Sequence, residues 1–141
     1  VTVPAPVQQL LAEVGVAAFT ARDFRPGLVR HVVLFRYRPE VDADQREEVL
    51  RRFRALADSP RDGAPYIVSI EAGPQTSGEG VDGGFDHGIV VTFASEGDRN
   101  HYVGTPVVED PAFSDPEHAR FKEFVGPLLA DVLVFDVAVP A

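Results

Sequence analysis

The chain has 141 residues, 45% of them hydrophobic and 25% charged, with a formal net charge of −9. That is enough for one domain with a real core. The acidic balance sets nucleic acid aside as a partner, because phosphates are repelled at long range. With no Cys, disulfide scaffolds, thiolate metal sites and a Cys nucleophile are excluded. No apolar run is long enough to cross a bilayer, and the first residues lack the basic start of a secretory signal. The expectation is a cytoplasmic protein that uses no membrane partner.

Residues 1–27 read as an N-terminal arm, and residues 28–141 as the domain. Val7, Leu10, Leu11 and Val14 fall on one side of a short helix in the arm. Residues 29–37 (VRHVVLFRY) are β-branched and aromatic, which predicts strand one. Its alternate residues His31, Val33, Phe35 and Tyr37 share one face, and Val32, Leu34 and Arg36 share the other. Asp42 then offers an N-cap with Gln45 as its capping-box partner. Helix one is predicted over 43–58, with Val49, Leu50, Phe53, Leu56 and Ala57 on one stripe. Residues 59–63 (SPRDG) stop it.

Residues 66–72 (YIVSIEA) predict strand two, and the Gly-rich stretch 73–84 a long hairpin connection. That stretch has no GxGxxG or Walker pattern. Residues 85–94 (FDHGIVVTFA) predict strand three. A second helical region begins at 96–103 and is interrupted by the prolines of 104–116. Ser114 or Asp115 can cap a further helix from Pro116 to about Leu129, which Pro127 kinks or ends early. Residues 132–139 (VLVFDVAV) predict strand four.

The order β-α-β-β-α-β is the ferredoxin-like pattern, an α+β fold. Its four-stranded antiparallel sheet carries both helices on one face. The other face, carrying His31, Val33, Phe35, His87 and Ile89 or the complementary set, is apolar and bare. A second copy is expected to cover it, making a dimeric α/β barrel.

The strand HVVLFRY, the helix DQREEVLRRFRAL, the strand FDHGIVVTF, the pair His101-Tyr102, the segment DPEH ending at His118, and VLVFDV with Asp136 resemble the stress-responsive dimeric α/β-barrel (Dabb) family. The resemblance runs from about residue 30 to residue 137. The family includes stress proteins and small-molecule enzymes, among them olivetolic acid cyclase-like proteins that close a linear poly-β-ketone by aldol condensation. On that likeness Tyr102 and His118 match a catalytic Tyr and His. The apolar pocket maps onto His31, Val33, Phe35, Val49, Leu50, Phe53, Ile89, Val103, Phe121, Leu129, Val132 and Val134. The segment between Tyr102 and His118 is longer than the family norm, and a bulky aromatic is missing at Leu129.

Aldol chemistry needs a base and a donor to the developing oxyanion. His118 suits the first role and Tyr102 the second, with His31 as a polar wall group. His87 is assigned to the substrate wall, with a structural pairing to Asp86 or a backbone group as the plainer reading, and His101 to solvent. The four histidines show no HxH or HExxH spacing, so neither metal nor other cofactor is expected. The expected function is a cofactor-free cyclase, or related lyase or isomerase, on a polyketide-like or other apolar carbonyl compound. A non-enzymatic stress or binding dimer is the alternative. A cofactor-independent monooxygenase is the third reading, with Asn100 the sole Asn and no Trp.

Overall fold

The computed structural model describes residues 2–141. The chain enters through two short helices, α1 (Ala5–Val14) and α2 (Val16–Phe19), then runs into β1 (Pro26–Tyr37). α3 (Ala43–Ala55) follows, then a small hairpin of β2 (Pro60–Arg61) and β3 (Ala64–Pro65). β4 (Ser69–Pro74), β5 (His87–Ser95), α4 (Glu96–Val103), α5 (Pro116–Val125) and β6 (Leu129–Ala138) complete it. The four long strands form one antiparallel sheet in the order β4-β5-β1-β6. The α+β ferredoxin-like order expected from the sequence is present.

Local chemistry explains the element ends. Asp42 and Gln45 form a reciprocal capping box, with the Gln45 amide N–H 2.8 Å from Asp42 Oδ1 and the Asp42 N–H 2.9 Å from Gln45 Oε1. Behind it, Val49, Leu50, Phe53 and Leu56 are buried on one stripe. The stop signal at 59–63 closes the β2–β3 hairpin, with Asp62 (φ 53°) and Gly63 (φ 82°) both left-handed as a tight primed turn requires. Pro127 does end α5 early, at Val125. A single 3₁₀ turn (Gly126–Leu128) follows, so β6 starts at Leu129, earlier than predicted. Strand two shifts the other way. Tyr66 and Ile67 are buried ahead of β4, and the strand runs on through Pro74.

The sequence left open which face of the sheet meets the helices. Along β1, Val29, His31, Val33, Phe35 and Tyr37 are buried while Arg30, Val32, Leu34 and Arg36 are partly exposed. The His31 face is therefore the helix side, together with buried Ile89, Val91 and Phe93 of β5. The bare face carries the complementary set. β6 lies at the sheet edge, and Val132, Leu133, Val134, Phe135 and Val137 keep 41–63% exposure. Among the described residues, no helix is long and apolar enough to cross a membrane.

Candidate functional site

α4 and α5 bring the predicted pair together. Ser95 caps α4 by accepting the Asp98 N–H at 3.0 Å, and Tyr102 sits in the last turn, 1% exposed. Asp115 caps α5, accepting from the N–H groups of Glu117 (2.8 Å) and His118 (3.4 Å), with Pro116 in the first turn. The buried Asp115 carboxylate also accepts from Ser59 Oγ (2.7 Å) and Tyr66 Oη (2.7 Å). Its own N–H donates to the His101 carbonyl at 3.0 Å. The start of α5 is thereby fixed against the end of α4. The Pro-rich insertion loops away between them and anchors through buried Val108.

The His118 ring stacks on the Tyr102 ring, with centroids 3.8 Å apart and planes inclined by 16°. His118 Nδ1 lies 2.5 Å from the Tyr102 carbonyl oxygen. A carbonyl only accepts, so Nδ1 carries the proton and the neutral ring keeps a lone pair on Nε2. Burial, and then the charge of Lys122, pull the His118 imidazole down to about 3. Burial, with the Asp115 charge added, pushes the Tyr102 phenol up, so both groups stand neutral. The Tyr102 hydroxyl is buried with no hydrogen-bond partner among the described residues.

His31 approaches Tyr102 from the sheet, edge-on at 5.6 Å between centroids. It lies opposite Asp136 in the β1–β6 register, and its Nδ1 is 2.7 Å from Asp136 Oδ1. Arg99 Nη1 donates to Asp136 Oδ2 at 3.0 Å. Burial raises the Asp136 carboxyl, but the hydrogen bonds and charges of His31 and Arg99 outweigh it and hold the group below its ordinary value. Tyr102 is thus flanked by two imidazoles.

The other predicted site residues are placed differently. Val33, Phe35, Val49, Leu50, Phe53, Ile89 and Phe121 belong to one packed core, with Val103 and Leu129 against its edge. Val132 and Val134 lie open on β6. His87 stands apart, opposite Phe35, its Nδ1 2.9 Å from Tyr37 Oη. Its expected partner Asp86 instead accepts the Tyr37 N–H at 2.9 Å, because the β5 start turns that carboxylate toward the end of β1. His101 is half-buried rather than exposed, edge-on to Tyr66 at 5.2 Å, because the chain returning at Asp115 covers it. A groove of about 410 Å³ lies between α3 and α5, lined by Arg52, Ser59, Arg120 and Phe124. Another, of about 700 Å³, lies on the bare sheet face beside the 75–85 loop, lined by Val32, Leu34, Val81 and Phe85. Neither is lined by Tyr102 or His118.

Sequence reasoning missed the support around these rings. Asp136 had a signal, as a lone acid inside the apolar strand VLVFDVAV. Ser59, Tyr66 and Arg99 had none, because each reaches a partner 37 or more positions away.

Fold and site together define a ferredoxin-like α+β protein with a His–Tyr–His cluster between its sheet and its helices. The family described as the Stress responsive A/B Barrel Domain (Dabb) matches residues 29–139, and the chain belongs to it. Among solved structures, a crystal structure of an Arabidopsis thaliana protein superposes with a TM-score of 0.64 at 22% identity, covering 80% of this chain and 96% of that one. Hydroxynitrile lyase from Passiflora edulis superposes at 0.62 with 20% identity, covering 82% and 95%. A dimeric ferredoxin-like protein of unknown function from Thermobifida fusca superposes at 0.57 with 22% identity, covering 83% and 96%. At these identities the likeness shows the fold. No curated protein matches the chain.

Proposed function

We propose that the protein is a cofactor-free enzyme of the lyase or cyclase type, acting on a small apolar carbonyl compound. The observation that carries this reading is the Tyr102 hydroxyl, buried with no hydrogen-bond partner among the described residues, beside a His118 ring whose Nδ1 is taken by the Tyr102 carbonyl and whose Nε2 meets no partner among those residues. Leaving a buried hydroxyl unpaired costs roughly 1–3 kcal/mol, and a ligand oxygen would repay that.

In the proposed step, His118 Nε2 takes a proton from a C–H next to a carbonyl. The C–H pair becomes the enolate C=C, the carbonyl π pair moves onto oxygen, and the Tyr102 hydroxyl donates to that oxyanion. In ring closure the enolate carbon then attacks a second carbonyl, whose oxygen takes the proton from His118. In cyanohydrin cleavage His118 takes the O–H proton, the O–H pair closes the C=O bond as the C–CN bond breaks, and the proton passes to the departing cyanide. His118 is a reluctant base in the empty site, because burial disfavours its cation. It accepts a proton only as negative charge develops beside it, in surroundings that exclude water. His31, oriented by Asp136, supplies the second imidazole. The Passiflora edulis relative is named a lyase, which is consistent with bond-breaking chemistry on this fold.

The assembly proposed is a homodimer through the bare sheet face, where Val32, Leu34, Val90, Leu133, Phe135 and Val137 await cover. The Thermobifida fusca neighbour is described as dimeric. A second reading, a non-enzymatic binding or stress dimer, is favoured by one observation: most of the apolar residues assigned to the pocket pack against each other as core.

The test is turnover of a cyanohydrin and of a linear triketone by the purified chain. His118→Ala is expected to abolish turnover, and Tyr102→Phe to lower it about 10²–10³-fold, both with the fold retained. Full activity in His118→Ala removes the assigned base. No turnover or binding of either compound class by the native chain moves the weight to the second reading.

A further inference from the structure

The segment before residue 29 lies outside the family match, yet it contributes two of the most buried residues, Phe19 (2% exposed) and Thr20 (1%). What it packs on is α4, the helix that carries Tyr102. The Glu96 N–H donates to the Arg25 carbonyl at 3.1 Å, and the Gly97 N–H to the Phe24 carbonyl at 3.0 Å. A Cβ at position 97 would stand 1.7 Å from the Ala21 carbonyl oxygen, so the backbones meet where only glycine fits. Buried Asp98 binds Arg61 at 2.8 Å and Arg22 at 3.6 Å, and Arg61 also donates to the Thr20 carbonyl.

One thread of bonds runs from this segment to the ring cluster. Asn100 Nδ2 donates to the Phe19 carbonyl at 2.9 Å, and Asn100 Oδ1 accepts from Arg99 Nε at 2.9 Å. Arg99 Nη1 donates to Asp136 Oδ2 at 3.0 Å, and Asp136 Oδ1 holds His31 Nδ1 at 2.7 Å. Every donor in the series meets an acceptor. Asn100 is buried and uses both ends of its amide, so its orientation is fixed from two sides.

We infer that Asn100 and Arg99 are positioning residues, through which the segment Val16–Arg25 sets the His31–Asp136 pair against Tyr102. This rests on the reading of His31, Tyr102 and His118 as the site. The physical need is plain. Asp136 stands on the edge strand β6, and besides His31 only Arg99, among the described residues, donates to its carboxylate. Arg99, itself oriented by Asn100, supplies the fixed donor. Without it the carboxylate turns to water and His31 Nδ1–H loses its acceptor.

The experiment is proton NMR of the intact 141-residue chain, following the His31 Nδ1–H. In the native protein this proton is expected as a downfield signal in slow exchange with water, assigned by its loss in His31→Gln. Arg99→Gln should abolish the slowly exchanging signal, and Arg99→Lys should partly restore it. Asn100→Asp keeps the acceptor for Arg99 but removes the donor to Phe19. It should broaden or shift the signal while the fold, judged by amide dispersion, persists. If Asn100→Asp does not fold, Thr20→Gly loosens the same segment from the other side and should have the same effect. A signal unchanged in Arg99→Gln, with only the melting temperature lowered, would show a merely structural brace and overturn the inference. Because the readout needs no substrate, it stays separate from the fate of the proposed reaction. Only if the native chain also turns over a carbonyl compound should Arg99→Gln lower kcat more than it raises KM.

Discussion

Tyr102 has a carbonyl that holds His118 and a hydroxyl that holds nothing in the described chain. Those two ends predict opposite effects from one substitution. Tyr102→Phe removes an unsatisfied buried group and should raise stability by about 1 kcal/mol, seen as a higher melting temperature, while weakening ligand binding. A melting temperature that falls instead would mean the hydroxyl already has a partner. His118 gives a prediction in pH. Its folded value is drawn down to about 3 from an ordinary 6.5, so as pH falls the unfolded chain takes the proton first. The stability from this group is whole above the unfolded value and is lost below it, at about 1.4 kcal/mol per pH unit. In urea unfolding between pH 7 and pH 4, His118→Leu should show a shallower loss with acid than the native chain.

Among the elements, α5 depends on one carboxylate for its start. Asp115 caps two N–H groups and accepts two buried hydroxyls. Asp115→Ala should cost roughly 2–4 kcal/mol, a cap plus orphaned hydroxyls, measured by urea denaturation. Asp115→Asn retains acceptor capacity and should cost less. How legible such features were depends on their range. The capping box of α3, the Asp-Pro start of α5 and the stop at Pro127 are written within a few residues, and each could be read directly. The stacking of Tyr102 on His118 was legible only through the family resemblance, since 15 intervening residues hide it. The start of β4 lies later than residues 66–72 predict, because Tyr66 has strand chemistry but is held by Asp115, 49 positions on. Gly97 looks like a poor helix residue until the backbone at Ala21 is seen against it. Gly97→Ala should therefore destabilise by about 1–3 kcal/mol, where an open helix site would gain from the change.

For the whole molecule, alternation in the strands established that two faces exist, but not which one the helices cover. Both faces of β1 are largely apolar, so only three-dimensional placement decides. Once His31 is seen on the helix side, Val32, Leu34, Val90, Leu133, Phe135 and Val137 remain as a contiguous apolar surface, by the registers of β1 with β5 and β6. Covering a side chain the size of Phe or Leu is worth about 1.5–3 kcal/mol, so a face of this kind favours association. Phe135, 63% exposed, contributes little to its own protomer's core. Phe135→Asp should leave the circular dichroism of the chain unchanged. Sedimentation at micromolar concentration should shift from dimer to monomer, because the new carboxylate would have to be desolvated opposite its symmetry mate. A Phe135→Asp chain that still sediments as a dimer would place the interface elsewhere, and the apolar sheet face would then need a different occupant.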